Sequence, residues 1–135
     1  MDSRSAFEKS CSMEWDVRRD ATWLLGNLLP DTEALHRLTA LLEDEDTAVE
    51  QEAAEVLVRR GDSYGLLAVL ANLGARVEDP DADYIAYRLR ELQLFEQIPV
   101  LQLARQYADK YPSGPIHEGI RQLEDLFGAE VAPDG

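Results

Sequence analysis

Apolar residues recur along this chain with helical spacing, in two interleaved sets that repeat roughly every 32 to 36 positions. The first set comprises Val17, Ala21, Leu24 and Leu25; Val49, Ala53, Val56 and Leu57; Ile85, Leu89 and Leu92; and Ile116, Ile120 and Leu123. The second comprises Leu35, Leu38 and Leu41; Leu67, Leu70 and Leu73; and Leu101, Ala104 and Tyr107. Apolar positions at i, i+3, i+4 and i+7 form one stripe on a helix, so each period holds two amphipathic helices. A repeat of this length predicts an all-α fold, a short α-solenoid of stacked helical hairpins.

The capping residues and chain breakers divide this pattern into about seven helices. The predicted helices cover 13–28, 32–42, 47–60, a segment from 62 or 63 to 73, a segment opening at 79–80, 97–110 and 116–127. Asp31 is the expected N-cap of the second helix. Thr47 and Glu50 have the spacing of a capping box at the start of the third.

The helical pattern indicates a single repeat domain over residues 13–127. Residues 1–12 are polar apart from Phe7 and are expected to form an N-terminal arm or a short helix. Residues 128–135 are expected to be a frayed C-terminal tail. No segment alternates with period two over a length that would predict a strand.

Acidic residues outnumber basic residues 27 to 13, which gives a net charge of −14. The excess is concentrated in residues 31–83, which contain 14 acidic and four basic residues. Such a field repels nucleic-acid phosphates and anionic lipid headgroups, and it attracts basic protein surfaces. The sequence therefore disfavours direct binding to nucleic acid or membranes. The alternative explanation is that the acidity serves only solubility.

The chain is expected to be cytoplasmic and monomeric when free. It shows no secretory signal pattern and no apolar run approaching the roughly 20 residues that span a bilayer. Cys11 is the only cysteine, so the chain cannot form an internal disulfide. The sequence assigns no role to Cys11.

The residue types needed for catalysis are sparse, and the sequence predicts no enzyme, cofactor or metal site. His36 and His117 lie far apart in the sequence, and no metalloprotease, redox or phosphate-loop motif occurs. The acidic run 79–83 resembles the start of a calcium loop, but Tyr84 and Arg90 occupy the positions that require Gly and Glu. Carboxylates in the first turn of a helix are the stronger interpretation.

Two segments carry a resemblance to a known family. Residues 35–62, LHRLTALLEDEDTAVEQEAAEVLVRRGD, combine a leucine-spaced helix, an acidic turn and a helix that opens with Val and continues through Ala-Ala to Gly-Asp. Residues 17–46 repeat much of this arrangement. The chain resembles the HEAT-repeat family, including its bacterial PBS-lyase-like branch. The resemblance implies a right-handed superhelical stack of helical hairpins that binds other macromolecules and has no catalytic activity. Leu89 and Ile120 depart from it, because they replace the small alanine of the second helix.

The second helix of each hairpin presents a polar and aromatic face opposite its core stripe. In a stacked solenoid these faces are expected to form one continuous strip. The candidate partner-binding residues are Trp23, Gln51, Glu55, Tyr84, Tyr87, Glu91, Glu118, Gln122 and Asp125, with Arg19 beside them. Tyrosine and tryptophan provide large contact area with few rotors, and carboxylates pair with Arg and Lys, so the strip suits a basic protein partner. The alternative for Trp23 is burial beneath residues 1–11.

These features predict a non-catalytic protein-binding module that sequesters or inhibits a basic protein partner. Its most concrete form is an immunity protein that neutralises an interbacterial toxin, an analogy drawn from charge and size. One alternative is an adaptor or scaffold in a cellular complex, whose gene would not lie beside a large toxin gene. Another is a chromophore-lyase-like subunit, which would change the absorbance of an added bilin. The sequence does not identify the partner, or whether binding blocks an active site or an exosite.

Overall fold

The structure, a computed structural model, describes residues 3–133. Within that range the chain forms eight α-helices and no strand. The helices are α1 (Ser3–Ser10), α2 (Trp15–Gly26), α3 (Thr32–Leu41), α4 (Thr47–Arg60), α5 (Asp62–Ala75), α6 (Ala82–Phe95), α7 (Val100–Arg105) and α8 (Pro115–Phe127), followed by a 3-10 turn at Gly128–Glu130. The prediction of an all-α fold built from amphipathic helices is confirmed. Residues 1–12, expected to form an arm or a short helix, contain α1.

The chain divides into two compact units, Met1–Gly65 and Leu66–Gly135. In the first unit, α2 contacts α1, α3 and α4. The residues of the periodic stripe form its core, because Ala21, Leu25, Leu38, Val49 and Leu57 are completely buried. The helical spacing therefore identified the packed faces of α2, α3 and α4 correctly.

Small side chains allow the helices of the first unit to approach closely. A Cβ atom added to Gly26 on α2 would lie 2.5 Å from Val56 Cγ1 on α4. Gly65 is tighter, since its Cβ would lie 2.1 Å from the backbone oxygen of Leu57. Ala53, in the middle of α4, is completely buried. At such positions the packing has no room for an added side chain.

Replacing Ala53 with leucine is expected to lower the free energy of unfolding by about 1 to 3 kcal/mol, because overpacking forces neighbouring side chains out of their preferred rotamers. The measurement is a pair of urea unfolding curves. Ala40→Leu is the matched control, since Ala40 is exposed on α3 and the same substitution there should change little. Equal stability of Ala53→Leu and the unmodified protein would contradict the observed packing of α4.

The observed N-cap residue agrees with the prediction at α3 and differs from it at α4. Asp31 caps α3 as predicted, and its carboxylate accepts a hydrogen bond from the Ala34 backbone nitrogen. The prediction that Thr47 caps α4 is wrong. Asp46 is the cap, because its extended backbone lets its carboxylate accept from the Ala48 nitrogen at 2.8 Å. Thr47 is already the first residue of the helix.

In the second unit, α8 packs against α6 and α7 and runs close to α5. A Cβ atom added to Gly119 on α8 would lie 2.0 Å from the backbone oxygen of Leu70 on α5. Leu70, Leu89 and Leu123 are completely buried, and Phe127 is nearly so. Gly119 therefore allows α8 to approach α5 closely.

The predicted helix over 97–110 is wrong in length, because α7 covers only Val100–Arg105. Gln97 has a left-handed φ of 59°, and Pro99 is the N-cap, so the chain becomes helical only at Val100. The Leu101 backbone nitrogen donates a hydrogen bond to Gln93 Oε1 on α6 at 2.9 Å. Beyond Arg105 the backbone continues in hydrogen-bonded turns rather than an α-helix.

Residues 128–133, expected to belong to a frayed tail, begin with the 3-10 turn. Val131 is only 7% exposed. Arg105 on α7 donates to the backbone oxygens of Gly128 and Ala132, at 3.2 and 3.0 Å. These contacts tie the segment to α7. Residues 134–135 of the expected tail lie outside the described range.

Candidate protein-binding surface

Helix α6 carries two tyrosines on the face opposite its core. Ile85, Leu89 and Leu92 are completely buried. Tyr84 and Tyr87, three residues apart and so on one face of the helix, are 49% and 51% exposed. Half-exposed rings on a rigid helix provide contact area that costs little conformational entropy to use.

Helix α8 brings an amide and a carboxylate to the same region. Ile120, Leu123 and Phe127 form its buried stripe, which leaves Gln122 half-buried and Asp125 exposed. The Gln122 side-chain nitrogen donates to the Leu73 backbone oxygen on α5 at 2.9 Å. This bond fixes the orientation of the amide group, because a backbone oxygen can only accept.

These two helices border a cleft of about 360 Å³. Its lining combines apolar side chains with two carboxylates, an amide and a tyrosine: Val77, Asp83, Ala86, Tyr87, Gln122, Asp125 and Leu126. Three predicted partner-binding residues, Tyr87, Gln122 and Asp125, thus meet at one site. Tyr84 lies beside it and lines a smaller depression, of about 280 Å³, with Pro80, Asp81, Asp83 and Tyr87.

The cleft is electronegative. None of the described residues that line it is basic, and two are carboxylates. Arg76, which precedes Val77, pairs with Asp79 at 3.0 Å. The pKa of Asp79 is lowered, first by the backbone N–H of Asp81 and then by Arg76. Across residues 66–135 the chain has 12 acidic and six basic residues, so no excess of positive charge offsets the cleft.

Two other candidates from the sequence lie in this unit but do not line the cleft. Glu91 is exposed on α6. Glu118, in the first turn of α8, lies 4.0 Å from Arg121. Their participation in binding stays a prediction.

The candidates in the first unit are engaged within the chain. Trp23 is half-buried, with its indole nitrogen donating to Glu52 at 2.6 Å and the Arg60 guanidinium 5.2 Å above its ring. Gln51 donates to the Thr47 backbone oxygen. The Glu55 side chain is only 14% exposed and pairs with Arg59 at 2.8 Å. These contacts restrict the groups available to a partner, so the second unit offers the better-formed surface.

Sequence reasoning missed four cleft residues, which are Val77, Asp83, Ala86 and Leu126. Helical spacing could have found two of them, because Asp83 precedes Tyr87 by four residues and Leu126 follows Gln122 by four. Val77 lies between α5 and α6, where no periodic signal places it.

A comparison with known families agrees with this architecture. The sequence profile of HEAT repeats matches residues 6–93, well over half of the chain. The chain belongs to the HEAT-repeat family. The match begins within α1 and ends within α6, so α7 and α8 of this HEAT-repeat protein lie beyond it. No curated protein and no solved structure matches the chain.

HEAT repeats generally mediate protein–protein interaction, and proteins built from them are generally non-catalytic scaffolds. Within residues 3–133 no helix is long and apolar enough to cross a bilayer. Nor does that range hold a group of three or more histidine, cysteine or acidic side chains placed to bind a metal ion. The HEAT-repeat family suggests protein partners in general for this chain.

One ion pair joins α7 to α8. Arg105 donates from Nε and Nη2 to the two carboxylate oxygens of Glu124, both at 2.9 Å. Arg105 is thus a structural residue. The hydrogen bond from Arg105 is the main cause that lowers the pKa of Glu124. Burial raises that pKa in part, and the positive charge of Arg105 lowers it further.

Unfolding of this HEAT-repeat protein is expected to depend on pH through Glu124. A carboxyl whose pKa is lower in the folded state stabilises the fold above its unfolded pKa of about 4.3. That contribution disappears as the pH falls through the folded value. The measurement is the urea midpoint from pH 7 to pH 3 for the unmodified protein and for Glu124→Gln. The difference between them should shrink in the acidic range, and a constant difference would contradict the assignment.

Proposed function

We propose that this HEAT-repeat protein is a non-catalytic module that sequesters a basic protein partner, most concretely an immunity protein that neutralises an interbacterial toxin. The observation that carries the proposal is the tyrosine-lined acidic cleft between α6 and α8. Tyr87 and Asp125 contribute an aromatic contact and an exposed carboxylate at one site. This pairing is typical of surfaces that bind arginine- and lysine-rich proteins.

The charge supports a basic partner for the whole chain. A net charge of −14 creates a field that accelerates encounter with a positively charged surface. The inhibitor version adds an argument by analogy, since nucleases and other toxins that act on nucleic acids present basic surfaces that an acidic protein can cover. The PBS-lyase-like branch and a cytoplasmic location stay predictions from the sequence.

Association with a basic partner is expected to slow steeply as salt rises from about 0.05 to about 0.5 M. The Debye length contracts from about 13 Å to about 4 Å over this range, which removes long-range steering. Dissociation should change less, because contacts at short range are screened less. Stopped-flow or surface-plasmon measurements give both rate constants. An association rate insensitive to salt would reduce the acidity to a solubility feature.

The direct test captures partners on the immobilised protein and repeats the capture with Asp125→Lys. A specific partner should have a basic surface, should be retained by the unmodified protein and should be lost with the variant. For the immunity role, cells that produce the captured protein should stop growing unless they also produce this HEAT-repeat protein. Growth that is unaffected by the captured protein would favour the adaptor alternative instead.

A further inference from the structure

We propose that the α6–α8 cleft receives a single arginine side chain from a protein partner. This inference rests on the proposed function and names the chemical group that the cleft recognises. The cleft measures about 360 Å³. That volume lies at the small end of the roughly 300 to 1,000 Å³ typical of ligand clefts, so it suits one long side chain rather than a folded element.

The apolar wall fits the stem of such a side chain. Val77, Ala86 and Leu126 line the cleft. Long cationic side chains pack their methylene groups along apolar surface while the charged end stays in a polar environment. An acidic residue or a short polar side chain would leave this wall without contacts.

The aromatic wall favours a guanidinium group. Tyr87 is half-exposed at the cleft, so one part of its ring can meet an incoming cation. Three such contacts occur among the described residues: Arg19 lies 5.0 Å from the Trp15 ring centroid, Arg60 lies 5.2 Å from that of Trp23, and the Lys110 ammonium lies 5.9 Å from that of Tyr111. Both guanidinium groups approach their rings more closely than the ammonium does. A planar guanidinium stacks on a ring, whereas an ammonium group is more strongly hydrated and loses more on leaving water.

The cleft offers several hydrogen-bond acceptors. Asp83 and Asp125 provide carboxylates. Gln122 uses one N–H of its amide in the bond to the Leu73 oxygen, and its side-chain oxygen is a further acceptor. A guanidinium carries five donors in a fixed plane, and an ammonium carries three. A site with several acceptors and no described basic residue in its lining therefore matches arginine better than lysine.

The test uses three blocked glycine pentapeptides that differ only at the central residue, which is arginine, lysine or the neutral isostere citrulline. Binding to the ¹⁵N-labelled full chain is followed by amide chemical shifts. The arginine peptide should shift Ala86, Tyr87, Leu126 and the Gln122 side-chain amide. Its affinity should exceed that of the citrulline peptide by about tenfold or more, and that of the lysine peptide by about threefold.

Two matched substitutions assign the effect to the cleft. Asp125→Asn should weaken arginine-peptide binding several-fold, whereas Asp109→Asn removes the same charge from an exposed position outside the lining and should not. Tyr87→Leu keeps an apolar side chain but removes the ring, and it should reduce the preference for arginine over lysine. Tyr64→Leu, at a 73% exposed tyrosine of the first unit, is its control.

Equal affinity for citrulline and arginine, equal affinity for lysine and arginine, or shifts confined to residues outside the cleft would each overturn the inference. The proposed function is separable from it. Capture of a basic protein that depends on Asp125, without arginine preference in the peptides, would reject the arginine site alone. Arginine-selective shifts in the cleft without any basic protein partner would retain the site and reject the proposed function.

Discussion

Replacing Arg18 with methionine is expected to lower the free energy of unfolding by about 3 to 5 kcal/mol, because it leaves a buried carboxylate without its partner. The side chains of Arg18 and Asp44 are 9% and 8% exposed. Two parallel hydrogen bonds join them, from Nε to Oδ2 at 2.9 Å and from Nη2 to Oδ1 at 3.0 Å. The measurement is equilibrium unfolding in guanidinium chloride.

The pair also organises two loops of the first unit. Arg18 Nη1 donates to the backbone oxygens of Ser12 and Met13, which lie between α1 and α2. Asp44 Oδ1 accepts from the Asp46 backbone nitrogen in the turn between α3 and α4. The hydrogen bond to Asp44 is the largest of the influences that raise the pKa of Arg18, so the guanidinium keeps its charge. Loss of Arg18 therefore disturbs both loops.

A matched control and a double replacement separate the charge effect from lost packing. Arg19→Met on the same helix removes a partly exposed arginine and should cost less than about 1 kcal/mol. Arg18→Met combined with Asp44→Leu removes both buried charges and should recover part of the loss. Recovery should be incomplete, because the Asp46 nitrogen also loses its acceptor. A cost below about 1 kcal/mol for Arg18→Met alone would contradict the buried-pair interpretation.

The packed faces of the helices could be predicted from the sequence because burial follows spacing. Leu25, Val49, Ala53 and Ile85 repeat at helical intervals, and each is completely buried. A helix buries the face on which its apolar residues gather, and the local sequence alone determines which residues share that face. The HEAT-repeat resemblance over residues 17–62 rests on the same periodicity and extends, in the family match, to residues 6–93.

Long-range polar contacts could not be predicted in this way. The sequence identifies 43–46 as an acidic turn, but the structure shows that Asp46 caps α4 and that the Asp44 side chain, 8% exposed, pairs with Arg18. Arg18 and Asp44 lie 26 residues apart, and neither interrupts a periodic pattern. The short α7 is a similar case. The contacts of Arg105 with Glu124 and Gly128 depend on how α8 packs against α7, which no local pattern reveals.

The candidate site was predicted only in part, because helical spacing reveals the faces of single helices but not how the helices pack together. Tyr84, Tyr87 and Asp125 were identified because they lie opposite an apolar stripe, which a single helix reveals. The cleft itself depends on the packing of α6 against α8 and on a loop residue, Val77, that no helix pattern positions. The sequence therefore named side chains of the surface but not the concavity that they border.

Replacing Tyr87 with alanine is expected to weaken binding to a basic protein partner by about thirtyfold or more, equivalent to about 2 kcal/mol, while stability changes by less than about 0.5 kcal/mol. The separation is expected because the ring is half-exposed on a helix whose core stripe lies on the opposite face. Affinity is measured by isothermal titration calorimetry with the captured partner, and stability by thermal melting of each variant.

Charge reversal provides the matched comparison for this prediction. Asp125→Lys places a positive charge at the cleft, and Glu33→Lys makes the same change at an exposed position on α3. Glu55→Lys is unsuitable, since Glu55 is largely buried and paired with Arg59. Arg105→Ala is unsuitable because its ion pair holds α8. A long-range steering field alone would respond similarly to both charge reversals. Loss of binding with Glu33→Lys, but not with Asp125→Lys or Tyr87→Ala, would therefore place the partner on the α3 surface.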